Sequence, residues 1–444
     1  MLFLQNNYKF QQKMIINFSI KNFGSFKEEQ MLSFEAEKSK HLEDFYIRKI
    51  KNVRLLKIAL IYGANASGKT TILKALDFLR DLVLEPVEKK TDTFDFEPFL
   101  FDDKTPYENS VLSIDFFQNE IRYFYEVEFN QEAIVKEVLK FSNPKRANVF
   151  SRTTDLKNQF TKIEFGRKIK VGKKAKEILE ANTLWNNTVL GGYLKTNIEI
   201  NELKEVVEWF KNYLHPVIYP KTNLSSFITS LIDKNKIDKK GVLTILKKAD
   251  FNISDIKIEK KEEEIPEDFI EFMKLSTDIA EEKLKKIKTK GKITAIKLNL
   301  EHLVNDKKYM LPFNWESEGT KRYYGFAGIL NLLIKKSNAF PIDELEASIH
   351  PDLYQYFLLS FLANSKNSQI IATTHNREIL GNNDIIRDDA LWITDKSKDA
   401  ATELYSFADF DSTIIRNTTN RLNAYKSGKL GGIPNVSDYY LDLE

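Results

Sequence analysis

The 444-residue chain contains no cysteine. That excludes disulfides and thiolate metal sites, and it suits a reducing compartment. No apolar run approaches the roughly 20 residues of a membrane-spanning helix. The N-terminus MLFLQNNYKF lacks the basic start, long apolar stretch and small-residue cleavage site of a signal peptide. A cytoplasmic protein with no membrane partner is therefore expected. One-signed charge is missing too: Lys+Arg 67 against Asp+Glu 64 leaves +3. Net charge does not advertise a nucleic-acid binder, although a local basic patch stays open. Internal repeats, low-complexity tracts and sustained heptads are absent, so a long coiled-coil arm is not expected. What remains is 42% hydrophobic and 30% charged, ordinary for a soluble globular chain large enough for two or three domains.

The stretch around which the chain is organised is GANASGKT, Gly63 to Thr70. An apolar run, Leu55 to Tyr62, precedes it and a helical pattern from Thr71 follows. Strand, glycine-bearing loop and helix start, with the spacing G-x-x-x-x-G-K-T, define a phosphate-binding P-loop. Gly63 and Gly68 let successive N–H groups turn toward phosphate oxygens. The helix presents its unpaired N–H groups to the same anion. Lys69 is expected on the β- and γ-phosphates, and the Thr70 hydroxyl on magnesium. Asn65, Ser67 and Thr71 complete the expected nucleotide-binding set, with ATP and Mg2+ as cofactors.

Residues 1–13 read as a tail, because the strong pattern begins at Met14, which is also a candidate start. Residues 14–165 form a first lobe. It holds a strand pair over 14–36, the P-loop strand and helix, a loop to Pro106, and an antiparallel meander from Val111 to Phe141. In that meander Tyr123, Tyr125, Val127 and Phe129 share one face. Residues 166–292 read as a charged helical insertion: Leu203, Val206, Val207 and Phe210 recur at helical spacing, as do Phe269, Phe272, Met273 and Ile279. Its basic clusters, Arg167–Lys176 and Lys283–Lys292, leave open a solvated helix face or a nucleic-acid contact. Residues 293–444 form the second lobe. Strands there alternate with helices, so an α/β fold with a largely parallel core sheet is expected.

The second lobe carries the remaining chemistry. Ala339-Phe340-Pro341-Ile342-Asp343-Glu344 is an apolar strand ending in two acids. After a P-loop, such a pair holds magnesium through the first acid, Asp343, and activates water through the second, Glu344. Pro341 is unexpected in a central strand, since it lacks a ladder donor. His375 closes the next strand, Gln369–Thr374, where it should face the ligand crevice of an open α/β sheet. Ser317 and Gly319, in Glu316-Ser317-Glu318-Gly319-Thr320, stand at a helix start. They suit either an ordinary N-cap or a second anion cradle.

The order GANASGKT, ESEGT, PIDE, ASIHP, TTH resembles the ABC-type ATPase head of the SMC and RecF class. Asn65 and the opening INFSIKNFGSFKEEQMLSF look like that class more than transporter subunits. DELEASIHPDL, ATTHNREIL, LWITDKSKDAATELYSFADF and AYKSGKLGGIPN further resemble compact bacterial ATPases of abortive infection and phage defence, the PARIS and Abi types. The resemblance covers about residues 14–165 and 293–435. It implies a P-loop ABC-type head with an antiparallel N-terminal β subdomain and an inserted helical subdomain. It assigns Lys69 and Thr70 to the P-loop, Asp343 and Glu344 to the Walker B pair and His375 to the switch histidine. Ser317 and Gly319 become a signature acting in trans on a second copy's ATP, with Ala347–His350 as the loop facing that copy. The signature lacks the usual first glycine and glutamine, and Gln131 is one candidate for the Q-loop.

The resemblance implies a slow ATPase, a homodimer or higher oligomer that closes on ATP and controls a separate effector protein, such as a nuclease, in phage defence. The stretch after His375 is short for a nuclease domain of its own. Two other readings stay open: a RecF- or SMC-like DNA-binding ATPase of repair, and an assembly scaffold whose hydrolysis is incidental.

Overall fold

A computed structural model of the chain describes residues 12–264, 292–410 and 421–434. Most of the expected tail, the pattern at Phe269, Phe272, Met273 and Ile279, and nearly all of the Lys283–Lys292 cluster lie outside these. The described chain divides into two compact units. The first holds residues up to Thr222, Leu332–Ala347 and Tyr354 onward; the second holds Asn223–Asn331 and Ser348–Leu353.

In the first unit, β1 (Met14–Lys21) and β2 (Gln30–Ser33) open the chain, a small hairpin of β3 (Ile47–Ile50) and β4 (Val53–Leu56) follows, and β5 (Ile58–Gly63) leads into the P-loop helix Lys69–Leu84. Then come β6 (Ser110–Gln118), β7 (Ile121–Phe129), β8 (Ile134–Ser142), β9 (Arg146–Asp155) and β10 (Phe160–Phe165). They assemble an antiparallel seven-stranded sheet in the order β10-β9-β8-β7-β6-β1-β2. The period-two pattern of β7 decides which face is buried: Tyr123, Tyr125, Val127 and Phe129 are all buried. The helix Asn201–Asn212 presents Leu203, Val206, Trp209 and Phe210 as its buried stripe. Trp209 stacks on Phe116 of β6 with centroids 4.0 Å apart. Truncating a buried tryptophan of this kind costs about 3–5 kcal/mol. Phe78 of the P-loop helix meets Phe129 at 5.3 Å and Phe96 at 5.4 Å. The loop before β6 is thus pinned by aromatic rings from its own sequence.

The second unit contains the helices Leu224–Asp233 and Lys239–Lys248 and a three-stranded antiparallel sheet, β11 (Ile253–Glu264), β12 (Lys292–Val304) and β13 (Lys307–Pro312). The expectation of a helical insertion over 166–292 is corrected here. Residues 253–264 are a strand paired along its length with β12, and the helices Lys173–Asn182, Val189–Leu194 and Asn201–Asn212 belong to the first unit. Lys and Glu density marks a solvated surface, and either a strand or a helix can carry one.

The core sheet of the first unit is completed by β14 (Ala339–Ile342), β15 (Gln369–Thr373), β16 (Leu391–Lys396) and β17 (Thr402–Ser406), in the order β14-β15-β5-β16-β17. Four strands run parallel and β17 is antiparallel. All six residues of β5 are buried. The architecture is therefore α/β, with a mixed core sheet and an antiparallel N-terminal sheet, as expected. Pro341 is accommodated because β14 stands at the end of this sheet. Ala339 and Asp343 both donate outward, to Tyr213 O and Ile218 O. With a period of two, the missing donor of Pro341 faces that same irregular 213–218 segment, away from the ladder with β15.

Candidate functional site: a nucleotide cradle

At the carboxyl end of β5 the chain turns through Ala64–Gly68 into the helix Lys69–Leu84. Gly68 is the N-cap with φ +103°, a conformation that favours glycine. A Cβ there would also sit 2.3 Å from Thr402 Oγ1. At Gly63 a Cβ would lie 2.3 Å from Thr394 Oγ1 and 2.4 Å from Ser67 Oγ. The loop is backed by hydroxyls of β16 and β17: Ser67 Oγ lies 2.6 Å from Thr394 Oγ1, and Thr402 Oγ1 donates to Ser67 O at 2.9 Å. Ser67 is thereby buried, whereas Asn65 is exposed at the tip. Thr71 Oγ1 lies 3.4 Å from Ser25 Oγ.

Lys69 is 6% exposed, and its ammonium donates to Gly63 O and Ala64 O, both at 2.9 Å. An ammonium has three donors, so one remains for a phosphate oxygen. Burial pulls the Lys69 pKa below the ordinary lysine value, while Asp343, Glu344 and Glu346 pull it back up. These acids arrive from β14, whose parallel alignment through β15 to β5 brings the carboxyl ends of three strands together. Thr70 Oγ1 donates to Asp343, 3.0 Å from Oδ1 and 3.2 Å from Oδ2. Thr373 Oγ1 donates to Asp343 Oδ1 at 2.6 Å and accepts the Glu344 N–H at 2.8 Å. Asp343 is 7% exposed, and Glu344 beside it is exposed at φ +48°. Holding a non-glycine residue there costs on the order of 1 kcal/mol, and such outliers gather at functional sites.

His375 follows β15. Its N–H donates to Glu346 Oε1 at 2.5 Å, and its ring is exposed. Partial burial, then the Lys69 ammonium, lowers its pKa below 6.5, opposed by Glu346, Glu344 and Asp343. The imidazole is therefore neutral at pH 7. Five expected residues, Lys69, Thr70, Asp343, Glu344 and His375, thus converge within one unit.

The donor set fits magnesium and a triphosphate. A threonine hydroxyl and one carboxylate are hard oxygen ligands at a single point. Among the described residues no cluster of three or more His, Asp or Glu offers an all-protein cage. A magnesium ion held there would need further ligands that the protein does not supply, and phosphate and water are its usual ones.

Ser317 and Gly319 lie in the second unit. Ser317 precedes the helix Glu318–Lys335 and caps it: Thr320 N donates to Ser317 Oγ at 3.1 Å, and the two hydroxyl oxygens are 2.8 Å apart. Ser317 is exposed, and Trp315 just before it is 73% exposed. A Cβ built on Gly319 would come 3.3 Å from Ser348 O, so the Ser348–His350 loop lies against this helix start. Gln131 sits exposed in the β7–β8 turn.

Four supporting residues escaped the sequence reading: Thr373, Glu346, Thr394 and Thr402. The available signal was polar residues inside buried strands, since Thr373 and Thr394 are both fully buried, and buried hydroxyls need partners.

The family described as "AAA domain, putative AbiEii toxin, Type IV TA system" matches residues 58–381. That span runs from the first residue of β5 past His375 and includes Lys69, Thr70, Asp343, Glu344 and His375. The chain belongs to this AAA-domain family. No curated protein matches the AAA chain. Among solved structures it is similar to an SMC head domain from Thermotoga maritima, at 13% identity, covering 88% of this chain and 98% of that one with a TM-score of 0.39. It is also similar to an SMC head bound to the C-winged helix domain of ScpA, at 14% identity, covering 88% and 97% with a TM-score of 0.45. Among the described residues of the AAA chain, no helix is long and apolar enough to cross a membrane.

Proposed function

We propose that the chain is a magnesium-dependent ATPase whose two copies close on ATP, and that this cycle regulates a separate effector in bacterial defence against phage. The observation that carries the ATPase reading is the bond between Thr70 Oγ1 and Asp343 at 3.0 Å, which joins the P-loop to the Walker B strand. The P-loop N–H groups and Lys69 cradle the phosphates. Thr70 and Asp343 would hold magnesium, which would supply positive charge against the phosphates. Glu344, exposed one residue further, takes a proton from the attacking water. His375, neutral at pH 7, accepts or donates a hydrogen bond at the γ-phosphate side.

Support for a second copy comes from Ser317 and Gly319. Both stand at an exposed helix N-terminus beside the Ser348–His350 loop, with Trp315 bare next to them. Such a terminus binds anions, and a large exposed aromatic is a common anchor of an interface. The defence role is supported by the family's description as a putative AbiEii toxin of a type IV toxin–antitoxin system. It predicts a cytoplasmic protein.

Complementation tests the trans arrangement. Lys69→Ala disables the P-loop and Ser317→Ala weakens the signature, so the first homodimer is expected to be inactive and the second about tenfold slower than wild type. Mixed dimers contain one intact site, and an equal mixture should recover about a quarter of wild-type turnover. No recovery, with both variants folded and exchanging subunits, overturns the dimeric reading. For the defence role, cells carrying the chain and its neighbouring genes should lose protection against phage when Lys69→Ala is introduced. DNA-stimulated turnover without any such protection favours the repair reading instead.

A further inference from the structure

The C-terminal glycine-bearing stretch Ala424–Pro434 has no part in the roles above, yet it touches the root of the P-loop. Its helix, Arg421–Lys426, packs against the turn Glu378–Gly381 just beyond His375, and Arg421 pairs with Asp388. From that helix Tyr425, 4% exposed, meets the ring of Tyr62 edge-on at 5.9 Å. Its hydroxyl donates to Gly432 O at 2.9 Å. Gly432 has φ +66°, and a Cβ there would lie 2.7 Å from Ile393 Cγ2 and 3.4 Å from Gly63 Cα. Tyr405 holds the same turn by donating to Leu430 O at 2.8 Å.

One tyrosine therefore joins the end of β5 to a glycine turn, its ring on Tyr62 and its hydroxyl on Gly432 beside Gly63, and the helix that carries it abuts the segment leaving His375. We propose that Tyr425 is a positioning residue of the nucleotide site, and that Arg421–Ile433 is the element through which the γ-phosphate is distinguished from its absence. This rests on the reading that the P-loop takes ATP. The physical reason is the two-point contact. A diphosphate bears on the P-loop alone, whereas a triphosphate bears on both the P-loop and the His375 strand end. The helix–turn borders the root of the P-loop at Tyr62 and the turn Glu378–Gly381 that follows His375, so ATP engages it more fully than ADP does. Without the hydroxyl, the Gly432 C=O, which sits beside Gly63, loses its partner in a buried place, and loss of a buried bond is felt.

The test is Tyr425→Phe, which keeps the ring against Tyr62 and removes the hydroxyl. Titration with Mg-ATP and Mg-ADP should show ATP binding weakened about 5–10-fold, with ADP binding within about twofold of wild type. Equal weakening of both overturns the proposal, leaving Tyr425 a support of the loop. So does no change in either. Lys69→Ala, run alongside, separates the failures: if it leaves both affinities intact, the P-loop reading itself has failed. Hydrogen exchange on the unmodified chain serves if Tyr425→Phe does not fold. Peptides over 421–434 should slow with Mg-ATP and not with Mg-ADP, while those over 63–71 slow with both. Unchanged exchange over 421–434 with Mg-ATP overturns the proposal.

Discussion

In the first unit Thr70 and Asp343 share a hydrogen bond across 273 residues of sequence. In the second, Ser317 engages Thr320, three positions along the same helix start. The first arrangement is a site whose ligands are already gathered from three strand ends. The second is a capped helix end, exposed and locally satisfied. The difference teaches that a catalytic metal and phosphate site is preorganised within one chain, because misplaced charges there cost rate. On the proposed reading, a clamp acting on another copy's ligand needs no more than a rigid helix start, which the Ser317–Thr320 bonds supply.

The comparison breaks most sharply at Lys69. Lys69→Ala should abolish ATP binding in equilibrium titration and lower kcat/KM by more than about 100-fold, without needing a second copy to show it. Glu344→Gln should lower kcat by about 100–1,000-fold while ATP binding persists, and sedimentation should show dimers trapped by ATP. Retained phage protection despite lost turnover would favour the scaffold reading. Ser317→Ala should reduce turnover by about tenfold, leave binding to the isolated chain unchanged, and remove about 1 kcal/mol of helix-cap stability measured by denaturant unfolding. If instead it weakens binding to the isolated chain, the contrast between the units is wrong.

The smallest effect is on pH. Burial and Lys69 depress the His375 pKa, so the imidazole stays neutral as pH falls through 6.5 and protonates only further down. The acidic limb of the kcat/KM profile due to His375, which reports the free protein, should lie below pH 6.5 and disappear in His375→Asn. A limb centred above 6.5 would show that the Lys69 charge does not reach the ring.

The pattern of β7 was legible because one buried face imposes a period of two on Tyr123, Tyr125, Val127 and Phe129. β11 was not legible. Its Ile253, Ile256 and Ile258 are followed by Lys260 to Glu264, a charged run in which solvated strand and solvated helix look alike. Pro341 argued against a central strand, and the sheet order resolves the conflict by putting β14 at its end. Glu346 and Thr373 stayed hidden because their partners, the His375 N–H and the Asp343 carboxylate, come from other segments.

By itself the sequence determined the P-loop, the acid pair and the strand-end histidine, because each is a local pattern in which backbone geometry and residue type act over a few positions. The tertiary structure alone decided which hydroxyls back the loop, which acid Thr70 meets, and that Tyr425 reaches Tyr62 at the root of the P-loop. Those are matters of strand order and register, and they are set by the burial of whole faces at once.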